Sequence, residues 1–317
     1  MKVSTVKKTL AAFLATAGIV AVAAGDDAAK IRAYTPSLVF ESVAHSYASP
    51  TLFDWNGDGL LDLVVGEKTA ESNGKVRLYL NRGTATEPKF VGYTYIQKDG
   101  KDMEFPAMGC IGLQVSFGRA KGATMFITTS HGKIYGCNRN TRDPKSSGQQ
   151  ENWVLWFDHS TDARFNKLIR ACTFCADMDG DGFDEVVASG QKSPMFWMKR
   201  SCDGDAATTV CTPMMDGEGK SLEYPEGQNH ASAVMFDVTD DGVPDIVTGD
   251  TVGNVWVYVG QGDGRFAAVP VQIYDNPDKS NKRSRLAVGD LDGDGIKDIL
   301  VGRQNGSVLM LKGSAKE

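Results

Sequence analysis

The chain has 317 residues, 41% of them hydrophobic, with 34 basic against 40 acidic side chains and a net charge of −6. The hydrophobic content is that of a folded globular protein and excludes a largely disordered chain. The acidic balance excludes the basic surface that a nucleic-acid-binding protein needs, so no nucleic-acid partner is expected.

The first element is a leader. In "MKVSTVKKTLAAFLATAGIVAVAAGDD", Lys2, Lys7 and Lys8 precede an apolar run to about Ala24, and Ala21-Val22-Ala23 satisfies the small-residue cleavage rule. The run is shorter than the ~20 residues a spanning helix needs. Residues 1–24 are therefore expected to be a signal peptide and 25–317 a single domain, secreted or periplasmic, with no membrane anchor after cleavage. Losing Lys2, Lys7 and Lys8 with the leader moves the charge from −6 to −9.

An unassigned strand, "SLVFESVAH", comes next, and then a repeat begins. "FDWNGDGLLDLVVGE" opens a loop at Asp54, "CADMDGDGFDEVVASG" at Asp177, "FDVTDDGVPDIVTGD" at Asp237 and "GDLDGDGIKDILVG" at Asp290. The gap from 54 to 177 spans two periods, and "VSFGRAKGATMFITTSHG" near residue 118 fills it, with the acids gone and the flanking strands kept. Each copy is followed by a turn and an alternating strand: "NGKVRLYLN", "HGKIYGC", "KSPMFWMK", "GNVWVYVG" and "NGSVLMLKG". Period-two alternation of this kind marks half-buried strands.

Each unit therefore reads strand A, acidic loop, strand B, turn, strand C and a less regular strand D. Repeated four-stranded antiparallel units are the blades of a β-propeller. The expectation is an all-β propeller of five blades, with loops near 54, 118, 177, 237 and 290, closed by the N-terminal strand completing the last blade. An open solenoid is the alternative architecture, and a sixth, degenerate copy has room between Cys202 and His230.

The loops carry the chemistry. Counted from Asp290, positions one, three, five and nine are Asp290, Asp292, Asp294 and Asp298, and the carbonyl of Ile296 stands at position seven. Four carboxylates in one tight turn repel each other, and a hard cation with six to eight oxygen ligands, calcium above all, removes that repulsion. An EF-hand needs a glutamate at position twelve, where this loop has Val301 and continues as a strand. The other sets are Asp54, Asn56, Asp58 and Asp62 with the carbonyl of Leu60; Asp177, Asp179, Asp181 and Glu185 with that of Phe183; and Asp237, Thr239, Asp241 and Asp245 with that of Val243. Four structural calcium ions are expected, with the Thr239 loop the weakest and binding energy appearing as folding energy. Tight Asp-Gly turns without metal are the plain alternative.

Six cysteines, Cys110, Cys137, Cys172, Cys175, Cys202 and Cys211, are an even count that favours disulfides in an exported chain, with Cys202 and Cys211 the expected pair. The Cys172-Thr-Phe-Cys175 pattern lies on a predicted strand, without the helix N-terminus that activates a redox thiol.

"DLDGDGIKDILVG", "DMDGDGFDEVVASG" and "NVWVYVGQGDGRF" resemble FG-GAP and VCBS repeats, the type found in integrin α-chains and many secreted bacterial proteins. The resemblance implies the propeller and calcium in the A to B loops, and no one activity. With the loops at one end of every blade, the B to C turns and the segments entering strand A collect at the other. That face gathers Glu67, His131, Gln191, Asp250 and Arg303, with His45, Arg170, His230, Lys282, Arg283 and Arg285. Trp153, Trp156, Trp197 and Trp256 read as core, and Trp55, inside a loop, as exposed. The leading functional expectation is a non-enzymatic module that binds glycan or protein through this face. The alternative is a polysaccharide lyase using groups such as Arg303, Arg285, His230 and His131, or a glycosidase using Glu67 and Asp250.

Overall fold

The alternating runs form antiparallel sheets because a period-two sequence buries one side of each strand. The computed structural model describes residues 8–10, 25–41, 43–69, 73–98, 101–106, 114–120, 123–129, 132–137, 154–158, 169–191, 193–201, 208–222 and 232–316. Blade one orders Ser49–Phe53, Asp62–Lys68, Asn73–Tyr79 and Thr94–Tyr95 across its sheet, with Phe105–Pro106 also pairing on Asn73–Tyr79. Blade two orders Gln114–Ala120, Ala123–Thr128, Lys133–Cys137 and Val154–Asp158. Blade three follows with Ile169–Ala176, Glu185–Gln191, Ser193–Ser201 and Thr208–Pro213. Blade four has Ser232–Phe236, Asp245–Gly249, Val255–Tyr258 and Val271–Tyr274.

Blade five joins the two ends of the chain. Arg285–Gly289, Asp298–Gly302 and Val308–Gly313 are followed across the sheet by Tyr34–Phe40, with Lys8–Leu10 outside it. Tyr34 pairs with Gly313 and Phe40 with Val308.

The expectation of five blades is corrected to six. Besides the five sheets of four or more strands there is a sixth of three, ordered Met215–Asp216, Arg265–Phe266 and Gly260–Gly262. Its strands are two or three residues long, carry no acidic loop and include a parallel pair, Met215 with Arg265. A count of loop motifs passes over it for that reason. Met215 and Asp216 lie in the stretch between Cys202 and His230 that has room for a sixth copy.

Neighbouring blades are sealed by apolar side chains. Val64 and Leu78 of blade one meet Val115 and Ile127 of blade two, and Phe126 and Trp156 of blade two meet Val186 and Phe196 of blade three. Val187 and Ile246 join blades three and four, where Phe266 of the sixth sheet enters the same cluster. Val247 and Leu286 join blades four and five, and Leu300 and Leu63 join blades five and one. Each such side chain, fully buried, contributes about 1.5 to 3 kcal/mol. Among the described residues no helix is long and apolar enough to cross a membrane.

The described residues contain no disulfide, and Cys172 and Cys175 are thiols. The expected partner of Cys211, Cys202, lies outside the described residues, as does Cys110. Burial pushes the Cys175 thiol up to about 12, the opposite of an activated redox cysteine.

Candidate functional site

The four acidic loops share one construction. The first aspartate turns back onto the loop backbone: Asp54 accepts from the N–H groups of Gly57 at 2.8 Å and Gly59 at 3.0 Å. Asp177 accepts from Gly180 and Gly182, Asp290 from Gly293 and Gly295, and Asp237 from Gly242. Gly57 and Gly59 have φ of +76° and +84°, a left-handed curl that brings consecutive N–H groups inward and suits glycine. The fifth-position carboxylates Asp58, Asp181, Asp241 and Asp294 accept from the N–H groups of Leu60, Phe183, Val243 and Ile296.

The ninth residue does something the motif does not reveal. Asp62, Glu185, Asp245 and Asp298 are buried, and the three aspartates pin the loop to backbone at or just past the end of strand C. Asp62 accepts from Trp55 N at 2.8 Å and from Asn81 N, beyond strand C, at 2.7 Å. Asp245 accepts from Val238 N and Gly260 N, and Asp298 from Leu291 N and Gly313 N. Glu185 keeps the loop contact, to Met178 N, at 2.8 Å. Burial raises all four carboxyl pKa values, Asp298 to about 6, and the backbone N–H groups of Leu291 and Gly313 oppose the shift.

Among the described residues, two carboxylate groupings have ligand atoms within 4.8 Å of one another: Asp177, Asp179 and Glu185, and Asp290, Asp292 and Asp294. An all-oxygen set of this kind fits a hard cation such as calcium. In blade one the third position is Asn56, whose amide donates to Asp58 at 2.8 Å, and in blade four it is Thr239, whose hydroxyl donates to Asp237 at 3.2 Å.

At the opposite end, the B to C turns and the segments entering strand A interlock. Ala48 N donates to Arg303 O, Arg283 N to Thr251 O, Gln304 N to Lys282 O and Lys68 N to Ser46 O. The sequence-predicted face residues fall into three groups. Glu67, Asp250 and Arg285 are buried. Arg303 is half-buried, while His45 and Lys282 are exposed. His131 and His230 lie outside the described residues, and of Arg170 and Gln191 only the strand backbone is described.

Glu67 and Asp250 are internal braces. Glu67 is 0% exposed, pairs with Arg77 Nη2 at 2.8 Å and accepts from the Tyr95 hydroxyl at 2.8 Å. The Arg77 guanidinium lies 4.3 Å from the Tyr93 ring centre. Asp250 accepts from the N–H groups of Val252, Gly253 and Asn254 and from Trp256 Nε1 at 3.0 Å. The two carboxylates stand in different blades, each committed to its own turn. Trp55 corrects another expectation: it is 3% exposed and meets Phe117 of blade two edge-on. The loop bends its indole into the seam between blades.

Two functional side chains outside the motif are Lys199 and Lys312, which reach into the loops of blades three and five. Their signal is a lysine near the end of strand C, which a search for Asp-Gly motifs passes over.

A propeller with this loop construction is the class that the FG-GAP-like repeat defines, and residues 237–301 match that family. The chain is a β-propeller that carries an FG-GAP-like repeat at these residues. A search of curated proteins found no match. Among solved structures, the chain is similar to an Agrocybe aegerita lectin described as recognising non-reducing terminal N-acetylglucosamine, with 19% identity and a TM-score of 0.38. That alignment covers 81% of this chain and 60% of the lectin chain. It is also similar to BBS1N in a complex with ARL6DN soaked with lead, with 10% identity, a TM-score of 0.43, and 90% and 99% of the two chains covered.

Proposed function

We propose that the protein is an exported, calcium-stabilised binding module that takes a glycan or protein ligand on the face opposite the acidic loops. The observation that carries this reading is the connection 276–285, which is held rigid and tied to the turns of neighbouring blades. The Asn276 amide donates to the carbonyls of Val252, Asp278 and Asn281. Asn281 in turn accepts from Asn305 N of blade five, whose Arg303 carbonyl receives Ala48 N of blade one. This braced surface presents His45, Lys279, Lys282 and Asn305 to solvent. Side chains on an already ordered backbone lose little freedom on binding, which favours recognition.

Calcium belongs to the reading as a structural ion. The carboxylates and position-seven carbonyls of the loops would hold it, and its charge would offset their mutual repulsion. The chain's own residues supply the rest: glycine turns that shape the loop, and the buried aspartates Asp62, Asp245 and Asp298 that tie it to backbone at the far end of strand C.

The test is a glycan and protein array probed with the purified protein, in calcium and in chelator. A ligand captured by the wild type should be lost by H45A/K282A, with the melting temperature unchanged. Capture that survives H45A/K282A but fails when loop residues are changed would move the site to the other end. Release of product from a captured glycan would replace the binding reading with a catalytic one.

A further inference from the structure

In two loops the space between the carboxylates is entered by a lysine of the chain itself. Lys199 Nζ contacts Asp179, lies 2.7 Å from Asp181 and is 3.9 Å from Glu185. Lys312 Nζ contacts Asp292 and lies 3.1 Å from Asp294. The two lysines hold the same place in their blades. Strand B pairs with strand C through Val186 with Met198 and Ile299 with Leu311, so one step further Lys199 stands opposite Glu185 and Lys312 opposite Asp298.

In blades one and four the pairs Leu63 with Tyr79 and Ile246 with Tyr258 place Leu80 opposite Asp62 and Val259 opposite Asp245. The choice follows the loop. Where the third position is an aspartate, Asp179 or Asp292, the strand C residue is lysine; where it is Asn56 or Thr239, the strand C residue is apolar. An added negative charge in the loop is thus matched by a positive one on the strand.

We propose that Lys199 and Lys312 are built-in counter-ions that hold the loops of blades three and five together without metal, and that calcium must displace them to bind there. The inference rests on the calcium reading above. A single exposed ion pair stabilises little. Here each ammonium bridges two carboxylates that the backbone holds side by side, so it relieves a repulsion as well as forming a pair. Loop one, where the equivalent strand C residue is Leu80, is then the stronger calcium site despite having one carboxylate fewer.

The experiment titrates calcium into metal-stripped wild type, K199M, K312M and K199R by calorimetry, and follows thermal unfolding of each in chelator. K199M and K312M should each tighten one calcium-binding event by about ten-fold. Both should melt lower than wild type in chelator and recover in saturating calcium, while K199R behaves as wild type. Affinities in both methionine variants within about two-fold of wild type would overturn the proposal. If no form binds calcium, the calcium reading falls, and the counter-ion role is judged on chelator melting alone. K199M must then melt lower and K199M/D179N must regain the loss; a double variant that stays low would overturn it.

Discussion

Replacing Glu67 with glutamine should strip the charge from the brace of blade one while keeping its shape. Glu67 Oε2 sits 2.8 Å from Arg77 Nη2, in a site where Glu67 is 0% and Arg77 8% exposed. Burial alone would push the guanidinium pKa down, and the Glu67 charge together with the Tyr79 and Tyr95 hydroxyls more than reverses this. Glu67→Gln leaves that cation with the Tyr93 face at 4.3 Å and the Tyr79 hydroxyl at 3.3 Å, and with Nε lacking a partner. Breaking a buried pair from one side costs about 3 to 5 kcal/mol, because the surviving charge remains desolvated. The Tyr93 ring offsets about 1 kcal/mol of that, leaving about 3. At roughly 2 to 4 °C per kcal/mol for a chain near this size, the melting temperature should fall by roughly 6 to 12 °C. Differential scanning calorimetry of wild type and variant, both in chelator so that the loops are in one state, reads this. R77M and the E67Q/R77M double variant complete a cycle that should return a coupling of at least about 1.5 kcal/mol. A loss under about 1 kcal/mol for E67Q would refute the brace and restore Glu67 as a candidate contact residue.

Two further outcomes follow from the packing. A Cβ on Gly302 would stand 2.1 Å from the carbonyl oxygen of Ala48, where blade five meets the entry to blade one, so G302A should destabilise by about 2 to 4 kcal/mol in denaturant unfolding; a neutral effect would mean that this seam opens readily. Tyr79 and Cys175 are raised by burial from 10.0 and 9.0 to about 12, so between those values the folded state keeps protons that the unfolded state has lost. Stability is then fully present below about pH 9 and should fall above it, by up to about 1.4 kcal/mol per pH unit for each group, in unfolding monitored from pH 8 to 11; a flat profile would contradict their burial.

The strands and loops were legible because both follow local rules: alternation sets which side of a strand is buried, and Asp-Gly spacing sets the loop curl. Strand A to C of every motif-bearing blade lies where that reading puts it. The side chains of the opposite face were not legible, because burial there depends on partners far along the chain. Glu67 is taken inside by Arg77 and Tyr95 from the next strands, and Asp250 by its own turn and Trp256. Trp55 depends on Phe117, which belongs to another blade. The lysines at 199 and 312 needed the strand pairing to show that they occupy one position. The sixth sheet had no periodic signal to find, with strands of two and three residues.

The pairing of Tyr34–Phe40 with Val308–Gly313 also decides how the molecule would yield to tension. With residues 1–24 removed, Tyr34 at the start of its strand faces Gly313 at the end of the other, so a pull applied at these two points loads that one rung first and then each rung in turn. The hydrogen bonds open one after another instead of sharing the load in shear. Tethered through both ends, the propeller would be a weak link that unlatches at its clasp; held through one end only, it would feel no such load.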